Sequence, residues 1–221
     1  VLRYRLRNAI IAVFVAFLGL FPFANQLYTY VSEPLRTLLP EGSSMIATEV
    51  TSPFLTPFKL SLVLAVFVAM PVILSQIWGF IAPGLYKAEK RIAVPLLASS
   101  VVLFYAGVAF AYYVVFPLLF GFFTTVGPGD ISVMTDINRY LDFVLKLFFA
   151  FGLAFEDPVA AVILILTGVV SADQLANNRA YVIVGCFVMG MLLTPPDVIS
   201  QTLLALPMWL LFEVGLIMGR F

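Results

Sequence analysis

The sequence contains no histidine and a single cysteine, Cys186. The first absence removes imidazole metal ligands, imidazole general bases and histidine-based pH switches together. The second leaves no intrachain disulfide and no cysteine-ligated cluster. Charge is scarce too. Only 11% of the 221 residues are Asp, Glu, Lys or Arg, against roughly 25% in soluble domains. The 12 basic and 12 acidic residues cancel, whereas a nucleic-acid binder needs a basic surplus. Nor does the chain carry a phosphate-cradling glycine motif, a nucleophile–base pair or a metal-ligand spacing. Together these absences point away from an enzyme, a cofactor, a metal site and nucleic acid.

What the chain has in abundance is apolar side chain: 62% of residues are hydrophobic and the mean hydropathy is +1.08. A soluble domain of this length has too little interior to hide that surface. Six apolar segments can be read against the ~20 residues that cross a bilayer. They run over about 9–27, 60–81, 92–116, 140–169, 181–193 and 201–218. The first lacks a small-residue cleavage site, so it reads as a span and not as a cleavable signal peptide. The fifth and sixth are short, and short spans thin the bilayer or lean on their neighbours.

Lys and Arg in the short loops set the orientation. Arg3, Arg5, Arg7, Lys87, Lys90, Arg91, Arg179 and Arg220 fall on one side. Arg36, Lys59, Arg139 and Lys146 fall on the other. The first side is the cytoplasmic one and holds both termini. The expected fold is all-α: one transmembrane domain over 1–221, six spans, N-in and C-in. The outer stretch 28–57 is more than a simple loop. Within it, Val31, Leu35, Leu38 and Leu39 have helical spacing, which predicts a short amphipathic helix in the interface with Pro34 near its start or at a kink.

Ionisable residues inside spans are costly and usually face a protein interior or a wet cavity. Glu156 and Asp157 sit within the fourth segment and Glu213 within the sixth. No nearby sequence position offers Glu156 a counter-ion. Adjacent helical residues do not face the same way, so at most one of the pair points squarely into a given cavity. Pro158 frees a backbone carbonyl one turn earlier, making a kinked, polar notch. Glu89 is the sole acid among Lys87, Lys90 and Arg91 in an inner loop. Read locally, it is a salt-bridged loop residue of small energetic worth.

Several strings change that reading. Phe80-Ile-Ala-Pro-Gly-Leu-Tyr-Lys-Ala-Glu-Lys-Arg91, Phe104-Tyr105 with Tyr112-Tyr113-Val-Val-Phe-Pro117, Phe151-Gly-Leu-Ala-Phe-Glu156 and Leu192-Leu-Thr-Pro-Pro-Asp197 resemble the TatC family, proteobacterial type. TatC is the polytopic core of the twin-arginine protein translocation system of the bacterial inner membrane. The resemblance covers essentially the whole chain and implies a cupped six-helix receptor for twin-arginine signal peptides of folded precursors.

It implies signal-peptide recognition by Glu89, with Phe80, Tyr86 and Arg91 on the same inner-face motif. A carboxylate suits paired guanidinium groups because it accepts arginine bidentately. Glu156 matches the family's intramembrane acid, whereas Asp157 stands where an apolar residue is usual. Met191, Thr194 and Gln201 fall where the single-span TatA and TatB partners are received. Pro34 and Phe54 belong to the outer cap. The family's second recognition glutamate is absent, Val1-Leu2-Arg3 standing in its Glu-Leu-Arg pattern.

The resemblance also implies transport driven by the proton motive force and self-association within a multi-subunit complex. Read without those strings, Glu156, Asp157 and Glu213 suggest a proton- or cation-coupled small-molecule transporter. The absence of a visible internal repeat counts against it. A third reading, a pure assembly scaffold, would bind partner helices but no export signals.

Overall fold

The computed structural model describes residues 2–37, 45–81, 93–126, 135–193 and 198–219. They are helical almost throughout. In chain order the elements are α1 (Leu2–Leu20), a 3-10 turn (Phe21–Phe23), α2 (Ala24–Arg36), β1 (Met45–Ile46), α3 (Ser52–Val68) and α4 (Met70–Ile81). There follow α5 (Ala93–Phe110), a π turn (Ala111–Val115), α6 (Phe116–Val126), β2 (Thr135–Asp136), α7 (Ile137–Ala154) and α8 (Asp157–Leu166). The last are α9 (Ala172–Asn177), α10 (Arg179–Leu193) and α11 (Val198–Met218).

Among the described residues, four helical stretches are long and apolar enough to cross a bilayer: Arg3–Pro34, Val94–Phe122, Ile137–Leu166 and Gln201–Met218. A fifth is a bent pair, α3 with α4, and Arg179–Leu192 is a shorter apolar helix. The all-α, polytopic reading therefore holds. In lipid every backbone group must be satisfied within the protein, and helices are one of the two ways to do so.

Local details differ from expectation for identifiable reasons. The outer amphipathic helix is not a separate element. It is α2, running on from α1 through one 3-10 turn that carries Pro22. Pro34 lies in its last turn and not near its start. The second span begins earlier, at Ser52, with Pro53 in its first turn. It breaks at Ala69, whose N–H turns back to the Ala65 carbonyl, just before Pro71, which has no N–H to give. The fourth span breaks at Phe155–Glu156, between α7 and α8, where Pro158 was expected to kink it.

The packing falls into two units. The first comprises residues 1–72 and 111–147. Here α1 and α2 pack on α3, and α2 also meets α6. Leu60, Ala65, Phe116, Leu141 and Val144 are fully buried in its core. Phe17 meets Phe58 edge-on at 5.3 Å, joining α1 to α3. Strands β1 and β2 pair in parallel, Met45 opposite Thr135.

The second unit comprises residues 73–110 and 148–221. Its centre is α11, packed against both α8 and α10. Two glycines permit close approach. A Cβ on Gly215 would lie 2.5 Å from the Pro158 Cα, and one on Gly107 only 2.4 Å from the Phe151 carbonyl oxygen. Small residues at helix crossings serve this purpose in membranes, where contact replaces the hydrophobic drive. Gly168, with φ +70°, ends α8 in the left-handed region. Ser171 then opens α9 with a reciprocal capping box to Gln174.

Candidate functional site

The polar notch forms where α7 stops and α8 starts. Glu156 sits in the turn, its amide bonded to the Leu153 carbonyl and its own carbonyl bonded to the Ala160 amide. Asp157 is the first residue of α8 and Pro158 the second, the favoured place for a proline that has no N–H to lose. The positive end of α8 favours the Asp157 carboxyl at this position. Both carboxyl groups are half-buried.

The partner that sequence reasoning missed for Glu156 is Ser100. Its hydroxyl, on the fully buried Ser100 of α5, donates to Glu156 Oε2. The other carboxyl oxygen, Oε1, is buried and has no hydrogen-bond partner among the described residues. The site is therefore half-satisfied, with one oxygen held by Ser100 and the other buried with no donor among the described residues. The only advance sign of Ser100 was the Ser99-Ser100 pair inside an apolar run.

Glu213 is different. Arg179, at the start of α10, grips it side-on, with Nε 2.7 Å from Oε1 and Nη2 2.8 Å from Oε2. This is the bidentate fork that arginine makes with carboxylates. Glu213 thus locks α11 to α10. The two residues lie 34 apart in the chain, on different helices, so no local pattern announces the pair.

The α10–α11 hairpin presents the expected partner positions. Met191 is 60% exposed on α10, and Gln201 on α11 is half-buried. The Gln201 backbone lies against Gly190, 3.4 Å from where a Cβ would be. Further along, the hairpin borders an apolar, half-open pocket of about 230 Å³, lined by Ile183, Cys186, Phe187, Ala205 and Trp209 among others. The indole N–H of Trp209 is buried without a partner among the described residues. Val184, Val188 and Leu192 leave the outer face of α10 apolar and exposed.

Near the start of α3, Phe54 is 67% exposed and stacks on Phe58 at 6.4 Å. It borders a cavity of about 370 Å³ with Phe21, Pro22, Asn25 and Pro53. The inner-loop positions Tyr86, Glu89 and Arg91, and Thr194 between α10 and α11, lie outside the described residues, as does the side chain of Phe80.

Comparison with known proteins decides the family. The profile described as "Sec-independent protein translocase protein (TatC)" matches residues 1–207. The chain belongs to the TatC family. It is 65% identical to the TatC of Azotobacter chroococcum, over 99% of this chain and 86% of that protein. It is 58% identical to the TatC of Escherichia coli K12, over 100% of this chain and 85% of that one. A solved structure, described as the twin arginine translocase receptor TatC in DDM, superposes with a TM-score of 0.90 at 40% identity, covering 100% of this chain and 98% of that chain. As a TatC family member it is a transport subunit and a multi-pass protein of the inner membrane. Family membership supports the translocase reading and not the small-molecule transporter. The pairing of Glu213 with Arg179 further removes one of the acids that the transporter reading used.

Proposed function

We propose that this chain is the twin-arginine signal-peptide receptor and the assembly scaffold of its translocase. The observation that carries the reading is the half-satisfied Glu156 carboxyl, held by Ser100 on one oxygen and buried without a donor among the described residues on the other, within a TatC-family chain. A buried acceptor left unpaired is expensive, so a donor arriving there gains the full difference. Water or a polar side chain on a partner helix is such a donor.

In this reading Glu89 accepts the arginine pair of the signal peptide at the cytoplasmic face, with Phe80, Tyr86 and Arg91 around it. Six spans place both termini inside, α3 and α4 counting as one. Met191, Thr194 and Gln201 receive the TatA and TatB helices on the α10–α11 hairpin. Thr194 and Gln201 suit such a partner, because hydrogen-bonding side chains promote helix association in lipid. Pro34 and Phe54 belong to the outer cap. Several copies act together, and the proton motive force drives export.

The test is photocrosslinking from the inner loop with a twin-arginine peptide. Glu89→Ala is expected to abolish the crosslink and export while leaving assembly with TatA and TatB intact. An undiminished crosslink in that variant would overturn the assignment.

A further inference from the structure

A helical residue four positions before a proline loses its hydrogen bond, because the proline has no N–H to return. In α2 that residue is Tyr30, four before Pro34. Its carbonyl is not left open: the Tyr112 hydroxyl donates to it at 2.9 Å. The next carbonyl, of Val31, receives the Tyr140 hydroxyl from α7 at 3.0 Å. The Tyr112 ring stacks on the Tyr30 ring, with centroids 5.3 Å apart and planes 4° from parallel. The Tyr113 and Tyr30 hydroxyls meet at 3.3 Å.

Tyr112 and Tyr113 both reach α2 because they lie in the π turn 111–115. A π turn packs more residues into each turn than an α-helix does, so consecutive side chains diverge less. The exchange is more consequential in a bilayer than in water, since a helix-breaking proline is tolerated there only where neighbours satisfy the backbone groups it frees.

We propose that Tyr112 is a positioning residue for the outer cap, its hydroxyl replacing the N–H that Pro34 withholds, with Tyr140 as a second anchor. Pro34 then works by exposing an acceptor. It turns a carbonyl that would have closed the helix on itself into the point where α2 is fastened to the π turn. The fastening fixes the end of the first span, from which the chain leaves for the outer loop. It depends on the receptor reading only where export is the readout.

The experiment is a double-mutant cycle on the purified chain, with unfolding as the readout. Tyr112→Phe keeps the ring and deletes the hydroxyl. With Pro34 in place it is expected to lower the folded-to-unfolded ratio about fivefold or more. With Pro34→Ala, the new N–H takes over the Tyr30 carbonyl, and the same deletion is expected to cost less than about twofold. Tyr113→Phe, which removes only a contact between exposed hydroxyls, is the control and is expected to be near neutral in both backgrounds. Equal losses from Tyr112→Phe in the two backgrounds overturn the proposal.

Should Pro34→Ala fail to fold, amide exchange in the Tyr112→Phe single variant decides instead. Protection is expected to fall over residues 30–37 and to hold in α11; a uniform change, or none, overturns it. Export by Tyr112→Phe is expected to drop while twin-arginine peptide binding at the inner face is retained. If the peptide never binds, the receptor reading fails. The cycle and the exchange still test the fastening.

Discussion

Glu213, within α11, and Glu156, in the turn between α7 and α8, are both acids in apolar surroundings, and the protein treats them in opposite ways. Glu213 has both oxygens gripped by one guanidinium. Glu156 has one oxygen on a serine hydroxyl and the other without a donor among the described residues. The first is electrically closed, and its work is done inside the chain, holding α11 to α10. The second is incomplete by itself. An intramembrane acid is a functional candidate by default, but the default must be weighed against its partners. Pairing separates these two.

The largest expected effect comes from opening the closed site. Arg179→Ala strands the Glu213 carboxylate. The Arg179 side chain is 46% exposed and that of Glu213 19%, so the loss is below that of a fully buried pair, about 1–3 kcal/mol. Replacing both, Arg179→Met with Glu213→Leu, should recover most of it, because apolar pairs of similar volume often equal a buried ion pair. Denaturant unfolding in detergent measures both variants. A neutral Arg179→Ala would mean that the pair is ornamental and that Glu213 is as open to function as Glu156.

The next effect sharpens the other side. Ser100→Ala removes the hydroxyl that holds Glu156 and should cost about 1–2 kcal/mol. Glu156→Leu in the same background should return stability, since an apolar residue needs no donor there. Glu156→Leu alone should weaken partner-helix crosslinking severalfold and leave unfolding nearly unchanged. If it instead destabilises the chain as much as Arg179→Ala does, Glu156 is a structural acid and the contrast collapses.

Much of this was legible in the sequence. Apolar runs placed the spans to within a few residues in α10 and α11, because a bilayer imposes a length that composition reports directly. The break beside Glu156 was legible too, since Pro158 declares it. The partners of the two acids were not. Ser100 precedes Glu156 by 56 residues and Arg179 precedes Glu213 by 34. Such pairs are set by how helices cross, which periodicity within one helix cannot supply. Pro34 was misplaced for a related reason. The amphipathic spacing of Val31 and Leu35 is real, but it continues a helix that began in the first span, and a local pattern carries no sign of where its helix started.

The smallest expected effect comes from a carboxylate outside the spans, which serves as a control on what full pairing does in water. Asp136 accepts from the Thr48 hydroxyl at 2.6 Å and the Thr48 amide at 3.0 Å. It also accepts from the amides of Asn138 and Arg139, each at 3.0 Å. These bonds, the Thr48 hydroxyl first, lower its pKa from 3.8 to about 2. Because the folded value lies below the unfolded one, the ionised group stabilises the fold above the unfolded pKa. That contribution fades as pH falls from 3.8 toward about 2. Amide protection around Thr48 should therefore decline across that window, and Asp136→Asn should flatten the decline. The effect should be small, since the group is solvent-exposed and its donors can turn to water. A steep loss of global stability in that window, abolished by Asp136→Asn, would show that a fully paired surface acid matters as much as the gripped Glu213. Burial would then add little to what pairing alone achieves.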